Sequence, residues 1–264
     1  MNKPIGVFDS GIGGISILKD LLIELPCEKF IYLADSKNAP YGPLPEKKII
    51  ELAEKNIDFL IKKECKIIVI ACNTITAAAI KNLRSKYSLP IIGLEPAIKP
   101  ACLKTKTGAV GVLATQGTFE GEHFKNTSKK YSNYVKLHLQ IAKELVDFAE
   151  KGDFDSDNVK KIISHYLNNF KNRNIDYIVL GCTHYPFFIK QIKECVGENI
   201  QIIDSSEAVT RRTKDILMTY KILNISEFEN KLIFYTTGNT EILKKLANNY
   251  LNIAPNNYIV EKMN

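Results

Sequence analysis

Short apolar runs alternate along this chain with longer segments whose apolar residues recur every three or four positions. The first rhythm predicts buried strands and the second amphipathic helices. Ile5–Phe8 is the first strand. Gly13 and Gly14 then open a helix with Ile15, Leu18, Leu21, Leu22 and Leu25 on one face, and Pro26 stops it. Phe30–Ala34 is the second strand. Pro45 suits the first turn of the next helix, which carries Ile49, Leu52, Ala53, Ile57 and Leu60. The strand Lys66–Ala71 follows, then an Ala-rich helix from about Ile75 to Tyr87, then the strand Pro90–Leu94.

After the segment GLEPAIKPA the same rhythm restarts with Ala109–Ala114. Val135–Gln140 is another strand, and Val159, Ile162, Ile163, Tyr166, Leu167 and Phe170 mark one helix face. Ile175–Gly181 and Ile200–Ile203 complete the second set. A last helix, strand and helix run from about Glu207 to Leu251, with Lys231–Thr236 as the strand. Strands separated by helices predict an α/β fold with mainly parallel sheets covered on both faces. The two sets read as a diverged duplication: IGVFDSG matches VGVLATQG in layout, and IIVIACNT matches YIVLGCTH. Two pseudo-symmetric lobes are therefore expected, with a cleft between them. The first comprises residues 1–97 plus 207–264 and the second residues 98–206.

Composition narrows the function. The 264 residues are 45% hydrophobic, enough for a substantial core. No apolar run reaches the roughly 18 residues of a membrane span. The start, MNKPIGVFDSGIGG, lacks the apolar core of a secretory signal, so a cytoplasmic protein is expected. The net charge of +7 mildly favours anionic ligands, but the lysines are spread thinly, and no basic run interleaved with aromatics suggests a nucleic-acid face. Six cysteines contain no C-x-x-C pair, and the four histidines have no paired spacing, so neither a structural zinc site nor a disulfide framework is expected.

Candidate chemistry clusters where strands end, because open parallel sheets bind ligands beyond the carboxyl ends of their strands. DSGIGGIS is a glycine-rich turn, but a dinucleotide fingerprint would need glycine where Ser16 stands, with Asp35 as the distant acid. Asp9 inside the turn would repel a pyrophosphate. A carboxylate held by Ser10 and the turn amides fits the stretch better. In ACNTITAAA, Cys72 ends a strand while Asn73 and Thr74 enter a helix. Thr74 is either a helix cap or a ligand group, and the helix terminus should lower the Cys72 thiol pKa. GCTHYP repeats the arrangement with Cys182 and Thr183 and adds His184, either a helix-start histidine or the thiol's proton partner. Asp9 could partner Cys72. Pro40, Tyr41 and Gly42 form a loop able to close over a ligand, and Thr115 and Thr118 sit at another strand-to-helix turn, as caps or ligand groups.

Two cysteines at equivalent tips of two lobes would face each other across the cleft. That suits racemisation, in which one thiolate removes an α-proton and the opposite thiol returns one to the other face. Hydrogen bonds from Ser10, Asn73, Thr74 and Thr183 could stabilise the intermediate charge. A Cys/His hydrolase would use Cys182 and His184 but leave Cys72 unexplained. A binding protein would use the cleft without chemistry.

IGVFDSGIGGIS, NAPYG, ACNT, IIGLEPAIKPA and LGCTHYP, in this order from about Ile5 to Asp204, strongly resemble the glutamate racemases of the aspartate/glutamate racemase superfamily. The resemblance implies cofactor-independent interconversion of L- and D-glutamate, supplying peptidoglycan synthesis, by a protein that pairs as a homodimer. A racemase of another acidic amino acid, such as aspartate, is the neighbouring possibility. It implies that Cys182 acts on L-glutamate and Cys72 on D-glutamate, assisted by His184 and Asp9 respectively. Ser10, Pro40–Gly42, Asn73, Thr74 and Thr183 match its substrate-binding segments. Relatives often carry serine and tyrosine where this chain has Gly121 and Phe124. Glu150 matches the family's acid, but its neighbours Lys143 and Asp147 are atypical, and it is not assigned a catalytic role. Cys27, Cys65, Cys102 and Cys195 are expected to be structural.

Overall fold

The computed structural model describes residues 3–225 and 232–263. The chain begins with β1 (Ile5–Asp9), α1 (Ile15–Glu24), β2 (Phe30–Ala34), α2 (Glu46–Lys62), β3 (Ile67–Ile70), α3 (Asn73–Lys86) and β4 (Ile91–Gly93). After α4 (Ile98–Lys104) come β5 (Ala109–Ala114), α5 (Gln116–Glu120), α6 (Glu122–Tyr131), β6 (Lys136–Ile141), α7 (Glu144–Glu150), α8 (Asp157–Leu167), β7 (Tyr177–Gly181), α9 (Ile189–Val196) and β8 (Gln201–Ile203). The chain closes with α10 (Ser206–Thr219), β9 (Leu232–Thr236), α11 (Thr240–Asn249) and β10 (Tyr258–Lys262).

Two parallel sheets result. The first has the order β10-β9-β2-β1-β3-β4 and the second β6-β5-β7-β8. The run β2-β1-β3-β4 is repeated in kind by β6-β5-β7-β8, so the duplication suggested by the paired sequence motifs is also present in strand order. In each sheet the chain steps from the first strand to one side, then returns to its other side. The crevices that open at these reversals lie between β1 and β3, and between β5 and β7. β1, β2 and β3 are buried along their whole length, which is why they are continuous apolar runs rather than alternating ones. One apolar cluster runs from Val7 of the first sheet and Leu18 of α1, through Leu145 and Tyr185, to Ile178 and Leu180 of the second sheet. The two layers are therefore welded along one side.

Several expected boundaries shift for local reasons. α3 starts at Asn73 rather than near Ile75, because Cys72 is still extended (φ −145°, ψ 120°) and its carbonyl accepts the Thr76 amide. Thr74 is thus inside the first turn and is not the cap. Phe170 continues the buried face of α8 from a 3-10 turn at 168–170. The crossing segment GLEPAIKPA contains the start of α4, and β10 is a strand that the C-terminal pattern did not suggest. Lys231, expected to begin a strand, lies outside the described residues.

At the amino ends of β2 and β3, away from both crevices, Lys66 and Glu28 form a buried ion pair at 2.7 Å. Lys66 also donates to the Ile222 carbonyl, and Glu28 accepts from the Asn224 amide and side chain. Removing one partner strands the other charge. Lys66→Met is expected to lower the unfolding free energy by about 3 kcal/mol in urea melts. A loss below about 1 kcal/mol would show that Asn224 alone satisfies Glu28.

Candidate active site

β1 ends in Asp9, a carboxylate with no exposed surface. Its Oδ1 accepts the Ser10 amide at 2.8 Å and the Ser10 hydroxyl at 3.3 Å. Its Oδ2 accepts the Gly14 amide at 2.8 Å and the Thr183 hydroxyl at 3.4 Å. The carboxylate held by Ser10 and the turn amides is therefore the protein's own. A third turn amide, that of Ile12, donates to Glu150 at 2.7 Å. Asp35 also departs from the dinucleotide reading. It accepts the Tyr41 hydroxyl at 2.5 Å, the Asn38 amide group and the Thr237 hydroxyl, and so anchors the Pro40–Gly42 loop.

Cys72 and Cys182 line one cavity of about 20 Å3 together with Ser10, Pro40, Tyr41, Gly42, Asn73, Thr74, Thr115, Thr183 and His184. That is room for about one water molecule. The Ser10 hydroxyl lies 3.6 Å from the Cys72 sulfur, and His184 Nδ1 lies 3.7 Å from the Cys182 sulfur. Each thiol thus has its own polar partner. His184 does not cap a helix with its ring, whose Nε2 meets Glu150 Oε1 at 2.6 Å. Glu150, left out of the candidates because its sequence neighbours are atypical, is the residue that reasoning missed. The signal available was its place in ELVDFAEKG, not the identity of residues 143 and 147.

Thr115 caps α5 by accepting the Thr118 amide, and its hydroxyl meets that of Thr74 at 3.0 Å. Thr118 sits behind Thr115, donating toward the Gly181 carbonyl, and is absent from the cavity lining, as is Asp9. Gly121 and Phe124 lie away from both sulfurs. A Cβ on Gly121 would press on Ala77 at 2.7 Å, and Phe124 packs edge-on against Phe119. A larger cleft of about 540 Å3 shares Gly42 and Thr74 with the cysteine cavity but contains neither sulfur. Among the described residues, no three His, Cys, Asp or Glu side chains are grouped to hold a metal ion, and no helix is long and apolar enough to cross a membrane.

The electrostatics correct one expectation. Burial pushes the Cys72 thiol well above its ordinary pKa, and the Asp9 charge adds to the push. The Ile75 amide and the Ser10 hydroxyl pull the other way, but a helix terminus contributes about 1 kcal/mol or less and full desolvation outweighs it. Burial also raises the Asp9 carboxyl, against the opposing pull of His184 and the Gly14 amide. For His184 burial alone would lower the pKa, yet hydrogen bonds to Cys182 and Glu150 hold it well above the usual histidine range. Burial alone takes Cys65 to about 12 and Cys102 to about 11, thiols packed in the apolar cores.

The fold belongs to a known class. The family described as Asp/Glu/Hydantoin racemase matches residues 33–213. A glutamate racemase of Clostridium perfringens (strain 13) is 45% identical over 93% of this chain and 92% of its own length. One from Herpetosiphon aurantiacus is 39% identical over 93% and 96%. Among solved structures, a glutamate racemase of Bacillus anthracis superposes with a TM-score of 0.87 at 30% identity, covering 99% of this chain and 97% of that one. The Francisella tularensis glutamate racemase, in complex with D-glutamate, gives 0.83 at 30% identity, covering 100% and 98%. The chain belongs to the aspartate/glutamate racemase family.

His184 makes stability depend on pH. Its folded-state pKa lies above the unfolded value of about 6.5, so its contribution is complete below that pH and declines as pH rises toward the folded value. The difference in unfolding free energy between the native protein and His184→Gln is expected to be larger at pH 6 than at pH 9. Urea melts at the two pH values measure it, and an unchanged or larger difference at pH 9 contradicts the protonated ring.

Proposed function

We propose that this chain is a glutamate racemase, interconverting L- and D-glutamate by α-proton transfer between Cys72 and Cys182 with no added cofactor. The observation that carries the proposal is that two thiols share one small polar cavity, each with a separate partner system. Cys72 has Ser10 and Asp9, and Cys182 has His184 backed by Glu150. A hydrolase needs one nucleophile and one base and would leave the Cys72 side without a task.

With L-glutamate bound, the Cys182 thiolate takes the α-proton: the Cα–H bond breaks and an S–H bond forms. The Cys72 thiol then gives its proton to the opposite face of the carbon, and its raised pKa suits a group that must arrive protonated. From D-glutamate the roles reverse. Charge that develops on the substrate carboxylate is met by the hydroxyls of Ser10, Thr74 and Thr183. Asn73 Oδ1 is buried and unpartnered, an acceptor suited to the substrate ammonium. Thr115 borders the same space, whereas Thr118 acts through Thr115. Asp9 and Glu150 are positioning residues that hold Ser10 and His184. Glutamate is much larger than the roughly one water that fits in the cavity, so the two lobes, residues 1–97 plus 207–264 and 98–206, part to admit it. The larger cleft beyond Thr74 and Gly42 is the approach. The product D-glutamate would serve peptidoglycan synthesis in the cytoplasm, and the active form would be a homodimer.

Each glutamate enantiomer, incubated with the protein in deuterated water, is expected to gain α-deuterium and lose optical rotation. Neither change in a folded, reduced sample would sink the proposal, and faster turnover of aspartate would move the substrate assignment. Cys72→Ser and Cys182→Ser should each slow racemisation by about a thousandfold; full activity in either refutes the two-thiol mechanism. Gly13→Ala should also lower turnover, by about tenfold or more, because the new Cβ would stand 2.4 Å from His184 Nδ1. Unaltered turnover would show that His184 tolerates displacement.

A further inference from the structure

Ser16 entered the sequence only as the residue that spoils a glycine fingerprint. It is the second residue of α1, is 5% exposed, and lines neither the cysteine cavity nor the larger cleft. Its hydroxyl lies 2.8 Å from the Gly13 carbonyl, the usual local acceptor for a serine in a first helical turn. It also lies 3.0 Å from the carbonyl of Thr183, which follows β7 of the other sheet, so its single proton is shared between the two carbonyls. That second acceptor is the peptide oxygen between Thr183 and His184. The side chain of the same threonine donates to Asp9. Thr183 is therefore gripped at both ends by one turn of the first sheet, and the two groups that flank it in sequence are Cys182 and His184.

The approach is close because the turn carries no side chains there. A Cβ at Gly13 would lie 2.4 Å from His184 Nδ1 and 2.6 Å from the Thr183 hydroxyl oxygen. Close packing sets the distance between the turn and the loop, and the Ser16 hydroxyl adds a directional bond that sets their register. We propose that Ser16 is a positioning residue for the reaction: by holding the Thr183 carbonyl it sets where Cys182 and His184 stand relative to the turn that carries Asp9. The proposal rests on the racemase reading for its kinetic consequence, but its geometric consequence needs no turnover.

The test compares Ser16→Ala and Ser16→Thr with the native protein. Limited iodoacetamide labelling, read by mass spectrometry, gives the rate at Cys182 relative to Cys72 in the same molecule. Ser16→Ala is expected to change that ratio by about threefold or more and to lower kcat by about five- to tenfold with KM within about twofold, as loss of one positioning hydrogen bond would do. Ser16→Thr, which keeps the hydroxyl, should stay within about twofold of the native protein in both readouts. An unchanged ratio, both thiols shifting together, or Ser16→Thr behaving like Ser16→Ala would overturn the proposal. So would failure of Ser16→Ala to fold, which would assign the hydroxyl to stability. Absence of racemisation in the native protein would sink the reading above, while the labelling ratio would still report on Ser16.

Discussion

A carboxylate with no exposed surface organises this site. Asp9 can be buried only if its oxygens are hydrogen-bonded, and the chain meets that demand by folding DSGIGGIS back over them. The turn has to be tight for the amides of Ser10 and Gly14 to converge. It also has to be bare, because the second sheet docks on its outer surface. A Cβ on Gly11 would sit inside the Glu150 carboxylate, and one on Gly13 inside the His184 ring. The glycines that resemble a phosphate cradle in the sequence are a seat for another part of the same protein. The anion at this turn is already present twice, as Asp9 and as Glu150.

From that constraint follows an inequality between the two thiols. Cys72 ends β3 beside Asp9, so it is both dry and near a negative charge, and it is held as a thiol. Cys182 ends β7 beside His184, whose other nitrogen rests on Glu150. The other side is built around an imidazole whose hydrogen bonds to Cys182 and Glu150 favour its charged form. The strand order is duplicated, but the chemistry mounted on it is not symmetric.

The duplication was legible because buried parallel strands are written as apolar runs. IIVI and YIVLG declare themselves, and the residues that follow them stand at strand tips in both sheets. Asn73, Thr74, Thr183, Ser10 and the Pro40–Gly42 loop do meet around the two sulfurs. What stayed hidden depends on contacts between segments far apart in sequence. Glu150 takes its position from His184 and Ile12, Asp35 from Tyr41 and Thr237, and Ser16 from Thr183. None of these pairings leaves a local periodicity. The fall in thiol pKa expected from the helix terminus failed for a related reason: desolvation is a property of the assembled site and outweighs a local dipole. β10 was missed because YIVEK is exposed at alternate positions on an edge, where the apolar signal is weakest.

The small cavity poses the remaining physical question, how so narrow a site admits anything larger than a water molecule. Within the cavity lining the seam between the two sheets' elements is polar: the hydroxyl of Thr74, on α3, meets that of Thr115, which follows β5. A hydrogen bond of this sort contributes about 1 kcal/mol net, because water replaces it when it breaks. Opening along this seam is therefore modest in cost, whereas opening along the shared apolar cluster from Leu18 to Tyr185 would expose core. On the proposed reading, a ligand with two carboxylates and an ammonium would replace the Thr74–Thr115 contact with its own hydrogen bonds. An apolar molecule in the same space would leave those hydroxyls and Asn73 without partners.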